Sequence, residues 1–201
     1  MNNLSCRISY KGFSAMQHEN VFKVFQGFLE EIKPSNILEI GTAEGGFIYG
    51  IRDILNTINL SNCNIRTFDI YPNEKRSSLS AYNIEIYTEN VFDDDYNLIN
   101  PELIVPFIQR DGTTIVFCDG GNKAKEFNCL AKYLKNNDII MAHDYIDTRE
   151  NYLNNFEGKI WSAHEIGEPD IANCCEENNL LPFWQESFQN IVWACRQKRI
   201  K

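Results

Sequence analysis

The chain has 201 residues, with 19 Lys plus Arg against 28 Asp plus Glu for a net charge of −9, and 43% of its residues are hydrophobic. That is the length of one domain and enough apolar material for a packed core, so wholesale disorder is excluded. The acidic excess argues against nucleic acid and anionic membranes as partners, and no run approaches the roughly 18 consecutive apolar residues of a membrane span.

The first ten residues lack the apolar core of a signal peptide, so a cytoplasmic protein is expected. Residues 14–33 carry Val21, Phe22, Val24, Phe25, Phe28, Leu29 and Ile32 at helical spacing, and Pro34 stops them. A short apolar run at 36–40 (NILEI) ends at Gly41, and a helix is predicted over 47–58. Extended runs follow at 64–69 (NIRTFD) and 83–87 (NIEIY), then a helix over 101–109. A fourth run at 113–118 (TTIVFC) ends in Asp119-Gly120-Gly121, residues 123–134 are helical, and 138–142 (DIIMA) is the fifth run. Five apolar strands separated by helices predict a parallel sheet covered on both faces.

Beyond the fifth run the pattern changes. A helix is predicted over 160–174, and 181–188 and 190–197 read as two strands close together, which suits an antiparallel hairpin at the sheet edge. With no repeat and no linker, residues 1–201 are expected to form a single domain, with 1–33 as an N-terminal tail and helix and 35–198 as the core. The seven cysteines (Cys6, Cys63, Cys118, Cys129, Cys174, Cys175 and Cys195) lack CxxC spacing. They read as small apolar side chains rather than a disulfide framework or a zinc knuckle.

In such sheets ligands bind at the carboxyl ends of the strands. Each of the five ends here carries an acid: Glu39 and Glu44 around the first turn, then Asp69, then Glu89 beside Asn90, then Asp119, then Asp144 after His143. The first turn has the spacing Gly41-x-x-x-Gly45-Gly46 rather than GxGxxG, no Walker sequence occurs, and Glu44 at the helix start would repel a pyrophosphate. A ligand with positive charge and a ribose but no phosphate suits these ends better, and S-adenosylmethionine (SAM) is such a molecule.

The segment ILEIGTAEGGF resembles motif I of the class I SAM-dependent methyltransferases, and Asp69 falls where that family places its ribose-binding acid. The resemblance covers about 35–198. It implies a Rossmann-like, doubly wound α/β fold, a seven-stranded sheet in the order 3-2-1-4-5-7-6 with the last strand antiparallel. It also implies that Glu39 and Gly41 flank the methionine part of SAM, that Asp69 accepts both ribose hydroxyls and that Asn90 meets the adenine edge, with Thr42, Ala43, Gly45, Ile70 and Val91 as further cofactor contacts and Asp119 near the transferred methyl.

The DGGNKAKEF loop and the HDY sequence at 143–145 are similar to metal-assisted small-molecule and sugar O-methyltransferases and to cephalosporin hydroxylase-like proteins. This implies that Asp119, His143 and Asp144 hold Mg²⁺ or another divalent cation against the hydroxyl of a small polar or sugar-like acceptor. His143 departs from the usual carboxylate there, which leaves the metal's identity and presence open. Lys123 or His143 is then the candidate proton acceptor, with Asp119 as the third catalytic residue. The bland alternatives are a solvated lysine and a strand-capping histidine.

The polar stretch 147–159 is a natural lid, with Arg149, Tyr152 and Asn154 facing the acceptor. Tyr71 and Lys75 match YxxxK by coincidence, since Pro72 lies between them. Asp93-Asp94-Asp95 reads as a solvated turn, His164 as a packing or surface residue, and Trp161, Trp184 and Trp193 as structural, with Trp161 able to border the pocket. The first helix either covers the cofactor or joins a homodimer. Two rival functions stand beside methyl transfer: a SAM- or nucleotide-binding module without catalysis, and an NAD-type oxidoreductase on the same sheet.

Overall fold

Residues 36–40, 114–118 and 139–143 are buried along their whole length, as strands inside a doubly covered parallel sheet must be. The computed structural model describes residues 8–157 and 165–200. In chain order the elements are β1 (Ile8–Tyr10), β2 (Phe13–Ala15), α1 (Val21–Ile32), β3 (Asn36–Ile40), α2 (Gly46–Thr57), β4 (Asn64–Asp69), α3 (Glu74–Ser77) and β5 (Ile84–Thr88). They continue with α4 (Pro101–Ile108), β6 (Thr114–Cys118), α5 (Lys123–Leu130), β7 (Ile139–His143), α6 (Arg149–Asn151), α7 (Glu168–Glu177), β8 (Leu180–Pro182), α8 (Gln185–Gln189) and β9 (Trp193–Lys198).

The main sheet has seven strands in the order β5-β4-β3-β6-β7-β9-β8. Counted from β3, this is the expected 3-2-1-4-5-7-6. The strands β3 to β7 run parallel, and β9 is antiparallel to both neighbours, β7 and β8. The two-residue period of a strand divides the core in two. Ile37, Ile65, Ile115, Phe117, Ile139, Met141 and Trp193 face α1, α2 and α8. Leu38, Phe68, Val116, Ile140 and Ala142 face α4, α5 and α7. Helix α1 buries Val21, Phe25, Phe28 and Leu29, one stripe at helical spacing, and ends at Lys33 in the left-handed region before Pro34.

Three expectations are corrected. The first helix begins at Val21 rather than residue 14, because 8–15 form the hairpin β1–β2, whose strands are too short to show a period. The C-terminal strands are shorter than expected: β8 is Leu180–Pro182, and most of 181–188 is turn and the helix α8, leaving β9 to pair between β7 and β8. The helix expected at 160–174 spans Glu168–Glu177, its start fixed by Asp170 Oδ2 accepting from Gly167 N at 2.7 Å. Residues 160–164, and with them Trp161 and His164, lie outside the described residues. Among the described residues no helix is long and apolar enough to cross a membrane.

The N-terminal hairpin packs on the start of α2. Gly46 makes this possible, because a Cβ there would lie 2.5 Å from the Ser14 carbonyl oxygen. Ser14 N donates to Glu44 Oε2 at 3.0 Å, and Lys75 Nζ lies 3.1 Å from the same oxygen. The segment after β2 is thereby held over the carboxyl edge of the sheet.

Candidate active site

Five strand ends and the segment after β2 build the site. Gly41, at the end of β3, has φ +91°, and a Cβ there would lie 2.2 Å from the backbone oxygen of Asp119. Only glycine lets the turns after β3 and β6 approach this closely. The turn is fastened to β4 by Thr42 Oγ1, which donates to the Phe68 carbonyl at 3.1 Å and contacts Thr67 Oγ1. Thr67 Oγ1 in turn donates to Glu39 Oε2 at 2.5 Å. Glu39 is buried, and desolvation pushes its carboxyl pKa up to about 8 despite the Thr67 hydrogen bond.

Asp69 sits at the end of β4, and its partners are already extensive. Oδ2 accepts from Ala43 N at 2.7 Å and lies 3.1 Å from Arg76 Nη1, while Oδ1 accepts from Tyr71 N at 3.0 Å. The buried Arg76 also donates to the carbonyls of Ala43, at 2.8 Å, and Tyr71. Asp69 therefore ties the motif I turn to the turn after β4, and about one of its roughly four lone-pair positions is left for a ligand hydroxyl.

Two cavities open at this edge. One of about 450 Å³ is bordered by Gly41, Ala43, Asp69, Ile70, Asn90 and Val91, within the roughly 300–1,000 Å³ range of small-molecule sites. The other, of about 240 Å³, is bordered by Gln17, Glu39, Thr42, Lys123, His143 and Asp144. Gly41, Ala43 and Asp119 border both. Every residue expected at the cofactor thus lines one cavity or the other except Gly45, whose α-carbon faces Leu79 behind the turn.

At the junction, Asp119 Oδ1 lies 2.9 Å from His143 Nδ1, and Asp119 Oδ2 accepts from Gln17 Nε2 at 2.8 Å. Gln17 is buried and its Oε1 accepts from Trp193 Nε1 at 2.9 Å, while the indole lies 4.9 Å from the His143 ring, centroid to centroid. Burial alone would lower the His143 pKa, but the facing carboxylates of Asp119 and Asp144 outweigh it and hold the imidazole above its ordinary value. Asp144 follows β7 in the left-handed region, with φ 57°, and its Oδ1 lies 3.6 Å from His143 Nδ1.

Lys123 is buried at the start of α5. Its Nζ lies 2.6 Å from Glu165 Oε2, 3.1 Å from Asp144 Oδ2, 3.1 Å from the Gly120 carbonyl and 3.9 Å from Asp119 Oδ1. Burial opposes its charge, but the three carboxylates prevail and hold its pKa well above the ordinary value, so it is an ammonium at neutral pH. The structure does bring Asp119, His143 and Asp144 together, with one candidate ligand atom each inside 4.8 Å. The ammonium among the same oxygens means that a divalent ion does not fit the arrangement as it stands.

Gln17, Glu126 and Glu165 were not anticipated. Glu126 is buried and accepts from Gly120 N and Asn122 N, both at 3.1 Å, shaping the loop that presents Asp119; desolvation pushes its pKa up to about 7. Its spacing from Gly120-Gly121 was the available sign. In the stretch after β7, Tyr152 is buried against Ile146 and Val192 rather than facing the acceptor, Arg149 lies over its ring at 4.7 Å, and Asn154 is exposed.

No family model and no curated protein matches the sequence. Solved structures do match the fold. An apo structure of CmcI aligns with a TM-score of 0.67 at 13% identity, covering 96% of this chain and 77% of that one. A Mg-SAM structure of CmcI aligns at 0.58 and 13%, covering 94% and 76%. TomG, an O-methyltransferase of Streptomyces achromogenes solved in complex with SAM, aligns at 0.50 and 12%, covering 90% and 80%. The chain has the class I methyltransferase fold. In this methyltransferase fold the two cavities occupy the carboxyl edge of the sheet, on either side of the turn after β3.

Proposed function

We propose that the chain is a SAM-dependent methyltransferase acting on an oxygen of a small polar or sugar-like acceptor. The observation that carries this reading is the meeting of two cavities at Gly41, Ala43 and Asp119: one of a size suited to a nucleoside, the other smaller and bordered by Gln17, Lys123, His143 and Asp144. Adenosine takes the larger cavity, with Asn90 and Val91 at the base and Asp69 at one ribose hydroxyl. The methionine part lies over the glycine turn, where the buried Glu39 answers its positive charge. In this pose the sulfonium methyl turns toward Asp119, and the acceptor shares the smaller cavity with the methionine part, since Glu39 and Thr42 border it.

The reaction is an in-line displacement. The acceptor oxygen forms a bond to the methyl carbon as the carbon–sulfur bond breaks, leaving S-adenosylhomocysteine and releasing the hydroxyl proton. Alignment of the two bound molecules lowers the barrier by converting the encounter into an intramolecular step. The hydrogen-bonded pair Asp119–His143 receives the proton, with Asp119 fixing the imidazole through Nδ1. The carboxylates around Lys123 favour its ammonium form, which supplies positive charge beside the developing alkoxide rather than acting as the base. A divalent ion would polarise the same oxygen, but no step here depends on one. The test is release of S-adenosylhomocysteine from SAM across a panel of hydroxylated small molecules. Turnover that needs both Asp119 and His143 supports the reading, whereas SAM binding with no turnover on any acceptor favours a non-catalytic module.

A further inference from the structure

The acceptor cavity contains its own cation. Lys123 opens α5, whose start is fixed by Asn122 Oδ1 accepting from Lys125 N at 3.1 Å, so the lysine grows from an anchored turn. Its head group meets oxygens from the turn after β6 (Asp119 and Gly120), the end of β7 (Asp144) and the segment before α7 (Glu165). The three N–H donors of an ammonium match Glu165, Asp144 and the Gly120 carbonyl, the three oxygens at 2.6–3.1 Å. A buried lysine with this set of partners is part of a built site, since an ammonium out of water requires paired oxygens.

A divalent ion bonded to Asp144 at about 2.0–2.6 Å would sit close to Nζ, which lies 3.1 Å from Asp144 Oδ2, and so in the field of a like charge. His143 Nδ1 lies 2.9 Å from the Asp119 carboxylate, so the imidazole and the lysine share the same acid. We propose that the Lys123 ammonium is the permanent cation of this cluster, taking the place of a divalent ion, and that the protein works without a metal. The ammonium offsets part of the charge of Asp119, Asp144 and Glu165, and the acceptor oxygen lies beside an ammonium instead of a Lewis acid. The inference deepens the acceptor side of the proposed methyl transfer, but the ion-binding result does not depend on that reaction.

The experiment titrates Mn²⁺ alone into the full chain, following the free ion by electron paramagnetic resonance, with SAM binding measured by calorimetry on the same preparations. The wild-type protein is expected to show no saturable Mn²⁺ site. Lys123→Ala and Lys123→Gln are expected to gain one, tightening Mn²⁺ binding about tenfold or more once the like charge is gone. Lys123→Arg, which keeps the charge, should behave as the wild type. A saturable wild-type site that vanishes in Asp144→Asn overturns the inference, and so do neutral variants that fold by circular dichroism yet gain no site. If the neutral variants do not fold, the wild-type titration decides alone: Mn²⁺ bound with Lys123 in place contradicts the inference, and its exclusion supports it. Failure of the wild type to bind SAM would remove the methyltransferase reading and leave the Mn²⁺ result standing.

Discussion

Gln17 Nε2 lies 2.8 Å from Asp119 Oδ2 and joins the segment after the N-terminal hairpin to the end of β6, 102 residues away. The same side chain receives the Trp193 indole N–H, so one buried amide aligns Asp119 against β9. Gln17→Ala strips a partner from two buried polar groups and is expected to cost about 1–3 kcal/mol in urea unfolding. Gln17→Glu would set a second carboxylate against Asp119, so its penalty should grow between pH 5 and pH 8. A Gln17→Glu variant as stable as the wild type at both pH values would show that the contact does not hold Asp119.

Asp119 is placed between the two cavities, and its exchange should separate binding from chemistry. Asp119→Asn keeps the shape but loses the charge facing His143, so turnover is expected to fall about 10²–10⁴-fold while SAM affinity changes little. Equal losses in kcat and SAM affinity would make Asp119 a cofactor contact only.

Asp69 carries two duties, since its carboxylate holds Ala43 N and the Arg76 guanidinium before any ligand arrives. Asp69→Ala is expected to weaken SAM binding about tenfold or more, the worth of a charge-assisted hydrogen bond together with a loosened turn. Arg76→Ala loosens the same turn without removing the carboxylate, so calorimetry should show a smaller loss. An affinity unchanged in Asp69→Ala would remove Asp69 from the ribose site.

Glu39 gives the cofactor site a pH dependence whose sign follows from its burial. The carboxyl ionises near 4.5 when unfolded and about 8 when folded, so from pH 4.5 to 8 the unfolded chain has released a proton that the native chain keeps. This group therefore erodes stability as pH rises through that window, and the loss levels off above about 8. A cationic methionine part favours the ionised carboxylate, so SAM affinity should rise with pH toward about 8, with proton release on binding. Calorimetry in buffers of different ionisation enthalpy measures that release. Glu39→Gln should abolish both effects, and a pH-independent wild-type affinity would contradict the assignment.

The sheet was legible because β3, β6 and β7 are buried on both faces and must be continuous apolar runs, and the glycine turn was legible because Gly41 has to pass the Asp119 backbone. The hairpin β1–β2 was not, since three-residue strands carry no period. Gln17 and Glu165 escaped notice because their partners lie 102 and 42 residues away, and no local spacing encodes such contacts. Lys123 shows how burial changes a role: beside the other charges of KAKEF it reads as a solvated lysine or a base, yet inside a ring of carboxylates it is held protonated. Trp193 reads as structural and is, but through Gln17 it also helps to fix the residue between the two cavities.

Calorimetric titration of the full chain with SAM, repeated with S-adenosylhomocysteine and with NAD(H), addresses the cofactor assignment most directly. One saturable SAM site, shared with S-adenosylhomocysteine and weakened about tenfold or more by Asp69→Ala, is the expected result. Heat from NAD(H) with none from SAM would contradict it.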